Sequence, residues 1–147
     1  MSIKVELQNA MKDAMRAKDK ARLSIVRMML ADIKRVEVDE RIELDDERIL
    51  AILDKMQKQR RDSLAQYEAA GRQDLADIEQ GELEVISQFL PAALTDSELQ
   101  TLVSQAIEQT NAESMKDMGQ VMAVLRPQTQ GRADMGQVSK LVKAQLS

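Results

Sequence analysis

The chain has 147 residues, a formal net charge of −4, no cysteine and no histidine. Those absences exclude disulfides, thiolate nucleophiles, histidine general bases and the usual zinc sites together, so no metal and no cofactor is expected. The acidic balance argues against a surface that binds polyanions indiscriminately.

This length suits one domain or two very small ones, and folding can remove about 68–70% of the unfolded surface from water. The apolar material is Leu, Ile, Val, Ala and ten Met, with Tyr67 and Phe89 the two aromatic residues. That palette favours helix. The opening stretch MSIKVELQNAMKDAM carries charges every few residues. It therefore has neither a signal-type apolar core nor a run of about 20 apolar residues, and cytoplasmic residence without membrane contact is the expectation.

Ile3, Leu7, Ala10, Met11, Ala14 and Met15 recur at spacings of three and four, which predicts an amphipathic helix. A second helix carries Leu23, Val26, Leu30 and Ile33, and the acidic VEVDERIELDDE after it reads as a connection. Asp45 suits an N-cap, with Asp46 and Glu47 in a first turn that favours negative charge. The third helix, with Ile49, Ile52, Leu53, Met56, Leu64 and Tyr67, should stop at Gly71. A fourth should run from Asp74 to about Leu90, ended by Pro91.

On that fourth helix Leu75, Ile78, Leu83, Ile86, Phe89 and Leu90 define an apolar arc, and Glu79 and Glu82 fall inside it. Carboxylates there need partners, and a half-buried salt bridge to Arg60, Arg61 or Arg72 outweighs an acid/base or metal pair. Both are therefore expected to be structural.

PAALTDSEL reads as a boundary, with Thr95 and Glu98 matching a capping box. Helix five follows with Leu99, Leu102, Val103, Ala106 and Ile107 inward. Ser114 and Asp117 suggest a sixth start, with Met118, Val121, Met122 and Leu125 continuing to Pro127. Asp134 caps a last helix with Val138, Leu141 and Val142. No β-alternation occurs. The expectation is all-α: an N-terminal four-helix domain over 1–92 and a small three-helix C-terminal domain over 93–147.

The pentapeptide DMGQV occurs twice, at 117–121 and 134–138. Gly119 lies inside a helical pattern, where glycine costs about 1 kcal/mol against Ala and is more easily understood if a backbone or ligand approaches closely. Asp134 instead caps a helix that Gly136 enters, and the similarity stops at Val121 and Val138, so the two copies are one phrase in two contexts. Neither phosphate-loop fingerprint is present. The turn at Gly131, leading through Arg132 to a helix start, offers a place for a phosphate, and an ordinary capped helix with solvated lysines fits it as well. From Arg126 to the end, Arg126, Arg132, Lys140 and Lys143 face Asp134 alone. This is the one locally basic segment.

The stretches Gly119-Gln120-Val121-Met122 and Gly131-Arg132-Ala133-Asp134, with Val138, Leu141 and Val142, resemble the C-terminal tail of GatB, the tRNA-holding component of the glutamine-dependent aspartyl/glutamyl-tRNA amidotransferases. KQRRDSLAQYEAAGRQDLA, ISQFLPAALTDSEL and SMKDMGQVM resemble the small stand-alone YqeY proteins, which share that GatB/YqeY domain. The resemblance covers nearly the whole chain. It implies a helical module related to the part of the enzyme that holds tRNA, while the carbon–nitrogen ligase chemistry with glutamine as amido donor resides in other domains or subunits. No catalytic residue is assigned. The expected function is an accessory that binds tRNA weakly through its backbone, using Arg126, Arg132, Lys140 and Lys143. The alternative is a helical adaptor docking on an amidotransferase or a tRNA synthetase.

Overall fold

A computed structural model describes residues 2–147. Among them are seven α-helices, one 3₁₀ turn and no strand: α1 Ile3–Ala17, α2 Lys20–Glu40, α3 Asp46–Ala69, α4 Gln73–Ser87, α5 Asp96–Thr110, the turn Met115–Asp117, α6 Met118–Thr129 and α7 Met135–Leu146. The all-α expectation holds. Contacts divide the chain into two compact units, one reaching Leu90 and one comprising Pro91–Ser147.

In the first unit, α1 pairs with α2 and α3 with α4, and the pairs close over Leu7, Ile25, Val26, Met29, Ile33, Ile49, Leu53, Met56 and Ile86. Helix starts follow local chemistry. Ser2, Asp19 and Asp45 accept the N–H of Val5, Arg22 and Arg48, satisfying donors that have no partner within the helix. Helix α3 gives way at Ala70 and Gly71, where φ is +71°, a conformation that glycine adopts without a Cβ clash.

The acidic connection is shorter than expected, because α2 runs on through Val36 to Glu40. Glu37 explains the extra turns. Its side chain is buried at 8% exposure, both carboxylate oxygens lie 3.0 Å from Lys4 Nζ, and Oε2 accepts the Leu44 N–H at 3.0 Å. One carboxylate thus joins α1, α2 and the approach to α3.

Helix α4 stops sooner than expected. Gln88, Phe89 and Leu90 donate to the carbonyls of Val85, Ile86 and Ser87 in a tighter winding, since a residue before proline is disfavoured in the helical region. Its buried seam is also rotated from the expected arc. Ala76, Glu79, Leu83 and Ile86 face the interior or its edge, whereas Ile78 is 58% exposed.

In the second unit α5, α6 and α7 enclose Leu99, Val103, Ala106, Val121, Leu125, Val138, Val142 and Leu146. Gln137 Nε2 donates to Asp96 Oδ1 and Ser104 Oγ donates to Gln145 Oε1, each at 3.3 Å and each across 41 residues. The constant offset means that α5 and α7 run parallel in register, with α6 returning between them.

Thr95 Oγ accepts the Glu98 N–H, but the Glu98 carboxylate takes the Thr95 hydroxyl instead of its N–H, so only half of that capping box forms. A full capping box forms at Ser114 and Asp117. Pro127 does not end α6, which continues to Thr129. Only the Ala123 carbonyl, one turn back, loses its donor, and Ala123 is exposed to water.

Candidate nucleic-acid interface

The basic segment is built on two helices and the turn between them. Arg126 is exposed in the last turn of α6, and Lys140 and Lys143 are exposed on α7. On α7, Val138, Val142 and Leu146 face the core, and helical geometry sets Lys140 and Lys143 on the opposite side. Three residues apart, they are surface neighbours. Among the described residues no carboxylate lies within ion-pair distance of Arg126, Lys140 or Lys143, for every ion pair belongs to the first unit.

Arg132 is tied through one nitrogen to another segment of its unit. It follows Gly131, whose φ of +75° turns the chain. Its Nε donates to the Ala92 carbonyl at 3.0 Å while its own carbonyl accepts the Leu94 N–H at 2.8 Å. The physical reason is main-chain satisfaction: a carbonyl of the non-helical Pro91–Leu94 segment needs a donor, and the guanidinium supplies it. The side chain consequently lines a recess with Leu94, Ser97, Glu98, Thr101 and Leu102. Sequence pattern carried no signal for this, because Ala92 and Arg132 are 40 residues apart.

The start of α7 is held by the chain itself. Asp134 Oδ1 accepts the Gly136 N–H at 3.4 Å, so a carboxylate already occupies the position offered to a phosphate. Gly119 is exposed in the first turn of α6, and a Cβ built there would meet nothing within 4 Å. No backbone or side chain among the described residues approaches Gly119 closely.

The two glutamates of α4 differ. Glu82 Oε2 lies 3.1 Å from Arg60 Nε, with the two side chains 25% and 13% exposed. Glu79 forms no ion pair among the described residues, which corrects the expectation that each would be paired. Burial raises its carboxyl above the ordinary range, the charge of Glu82 adds to the rise, and Arg60 opposes it. Among the described residues no group of three or more His, Cys, Asp or Glu side chains could hold a metal ion, and no helix is long and apolar enough to cross a membrane.

The family model described as Yqey-like protein matches residues 4–146. Similar curated proteins include three fungal ones named altered inheritance of mitochondria protein 41, mitochondrial. That of Vanderwaltozyma polyspora is 32% identical over 119 residues, 76% of this chain and 64% of the relative. That of Pyrenophora tritici-repentis is 30% identical over 140 residues, 93% of this chain and 77% of the relative. In Clavispora lusitaniae the identity is 34% over 114 residues, 76% of this chain and again 64% of the relative. The chain thus spans somewhat less than two thirds of two of these proteins.

Proposed function

Because this chain belongs to the family of Yqey-like proteins, we propose that it is a stand-alone helical accessory that holds tRNA by its phosphate backbone. It serves glutamine-dependent amidotransferase chemistry that other domains or subunits carry out. The observation that supports this reading is the set of exposed cations Arg126, Lys140 and Lys143, none of them paired with a carboxylate among the described residues. A lysine or arginine without an internal partner is free to replace the counterions of a phosphate. Recognition is by shape and charge, since Tyr67 and Phe89 both lie outside the second unit and single-stranded RNA is held by aromatic stacking. The segment 93–147 acts as the tRNA-facing domain, and residence in the cytoplasm belongs to the same reading; the fungal relatives are named as mitochondrial.

Fluorescence titration of labelled tRNA tests it. Three phosphate contacts give a salt slope near −2.7 with the duplex coefficient, a loss of roughly 40-fold between 50 and 200 mM salt. Reversing Arg126, Lys140 and Lys143 to Glu should remove binding while leaving helical content unchanged. Equal affinity of wild type and the triple variant would overturn the assignment.

A second reading, docking on an amidotransferase or a tRNA synthetase, is favoured by a separate observation. Met28 and Ile78 are 41% and 58% exposed, and each lines a shallow groove on the first unit, the two grooves meeting at Ser24. If tRNA does not bind at low salt, this surface becomes the one to test.

A further inference from the structure

The recess beside α5 holds two opposite charges that do not pair with each other. Arg132 and Glu98 both line it, and no ion pair joins them within 4.0 Å. Each is instead fixed by a neutral partner: Arg132 Nε by the Ala92 carbonyl at 3.0 Å, and Glu98 Oε1 by the Thr95 hydroxyl at 3.1 Å. The terminal nitrogens of Arg132 and the second oxygen of Glu98 make no hydrogen bond among the described residues. Two flexible side chains of opposite sign would ordinarily be free to close on each other. Here both line one recess of about 330 Å³, each with a hydrogen bond to a neutral group.

A ligand that engages both side chains carries both charges. A carboxylate alone would meet Glu98, and an ammonium alone would meet Arg132, so a ligand with one charge is repelled by one wall. A guanidinium presents paired donors that suit a carboxylate, and an ionised glutamate is an acceptor for an ammonium. The remaining walls are the half-buried Leu94 and Leu102 with the hydroxyl side chains of Ser97 and Thr101. Thr101 donates its hydroxyl hydrogen to the Ser97 carbonyl at 3.0 Å, which leaves the apolar pair as the surface for a side chain.

We infer that this recess binds a free α-amino acid with an aliphatic side chain, its carboxylate on Arg132, its ammonium on Glu98 and its side chain against Leu94 and Leu102. The site is distinct from the cations assigned to tRNA and does not depend on them. Pre-set charges lower the ordering cost of binding, and the openness of the recess to water keeps the affinity in the millimolar range.

The test uses the full chain labelled with ¹⁵N, with L-leucine as probe and N-acetyl-L-leucine and L-leucinamide as controls that each lack one charge. Leucine should give saturable shifts at the amides of Leu94, Glu98, Leu102 and Arg132, and each control should bind at least about tenfold more weakly. Glu98→Gln keeps an oxygen for the Thr95 hydroxyl and removes the charge. It should cut leucine affinity by a similar factor and abolish the discrimination against N-acetyl-leucine, with unchanged helical content. Arg132→Gln should also lose binding but disturbs the Ala92 bond, so Glu98→Gln is the deciding variant. No saturable shift up to about 10 mM leucine, shifts centred elsewhere, or equal binding of N-acetyl-leucine would each overturn the inference.

Discussion

The two units handle charge in opposite ways. In the first, cations are drawn into the architecture: Lys4 meets Glu37, Arg48 meets Glu40, Arg60 meets Glu82 and Arg72 meets Asp74. In the second, no ion pair forms among the described residues; α5 and α7 are joined by an amide and a hydroxyl, and the cations of the helices stay outside. One unit pairs its cations internally, and the other leaves the cations of its helices unpaired among the described residues. Exposed pairs contribute little to stability, whereas half-buried ones are sensitive to loss of a partner. Removing a half-buried partner in the first unit should therefore destabilise it, and reversing the helix cations of the second should leave its stability nearly unchanged.

The largest effect is expected at Glu37. Glu37→Ala leaves the Leu44 N–H without its acceptor and Lys4 without its counter-charge, and should lower the melting temperature more than any of the changes below. The same group predicts a pH response. The Leu44 N–H, and then the Lys4 ammonium, hold the Glu37 carboxyl below its ordinary value of 4.5. A depressed carboxyl contributes stability that is present above the unfolded value and lost as pH falls through the folded one. Melting curves should accordingly fall off below about pH 4.5, and Glu37→Gln should flatten that limb.

Glu82→Ala comes next, because Arg60 at 13% exposure would be left half-buried and unpaired. A loss of about 1–2 kcal/mol is expected, discounted from the fully buried case, and denaturant titration measures it. In the opposite direction, Gly119→Ala in the second unit should stabilise by about 0.5–1 kcal/mol, since nothing meets the added methyl and glycine is a poor helix former. A destabilised Gly119→Ala variant would restore the idea of a close approach there.

The smallest effect is at Glu79. Its raised carboxyl means that the charged form is disfavoured on folding. Stability therefore declines as pH rises from near the ordinary value of 4.5 through the higher folded value, the reverse of Glu37. Glu79→Gln should remove that decline and stabilise at pH 7 by no more than about 0.5 kcal/mol. Thermal melts between pH 4 and 7 would show it, and a destabilised variant would mean that Glu79 has a partner after all.

Features set within a few residues were legible in the sequence. The caps at Asp45, Thr95, Ser114 and Asp134, and the turn at Gly71, depend on neighbours that pattern can see. What escaped depends on distant partners. The acidic stretch after Val36 reads as a linker until Lys4, 33 residues away from Glu37, supplies its counter-charge. The bond from Arg132 Nε to the Ala92 carbonyl joins residues 40 positions apart and leaves no pattern in the sequence. Pro127 reads as a stop because pattern registers the missing donor but not that the residue left without it, Ala123, is exposed. Of the candidate interface, Lys140 and Lys143 as helix neighbours were readable from spacing, and the recess at Glu98 was not.

The second core is built without a single ring, since Tyr67 and Phe89 both belong to the first unit. This gives the molecule a built-in optical label. Tyrosine fluorescence and near-ultraviolet dichroism report on the first unit alone, whereas far-ultraviolet dichroism sums the helices of both. Unfolding followed in the two channels at once separates the units without a cut or a dye. Coincident transitions would mean that they melt as one cooperative body, and a far-ultraviolet step with no tyrosine counterpart would be the second unit melting by itself.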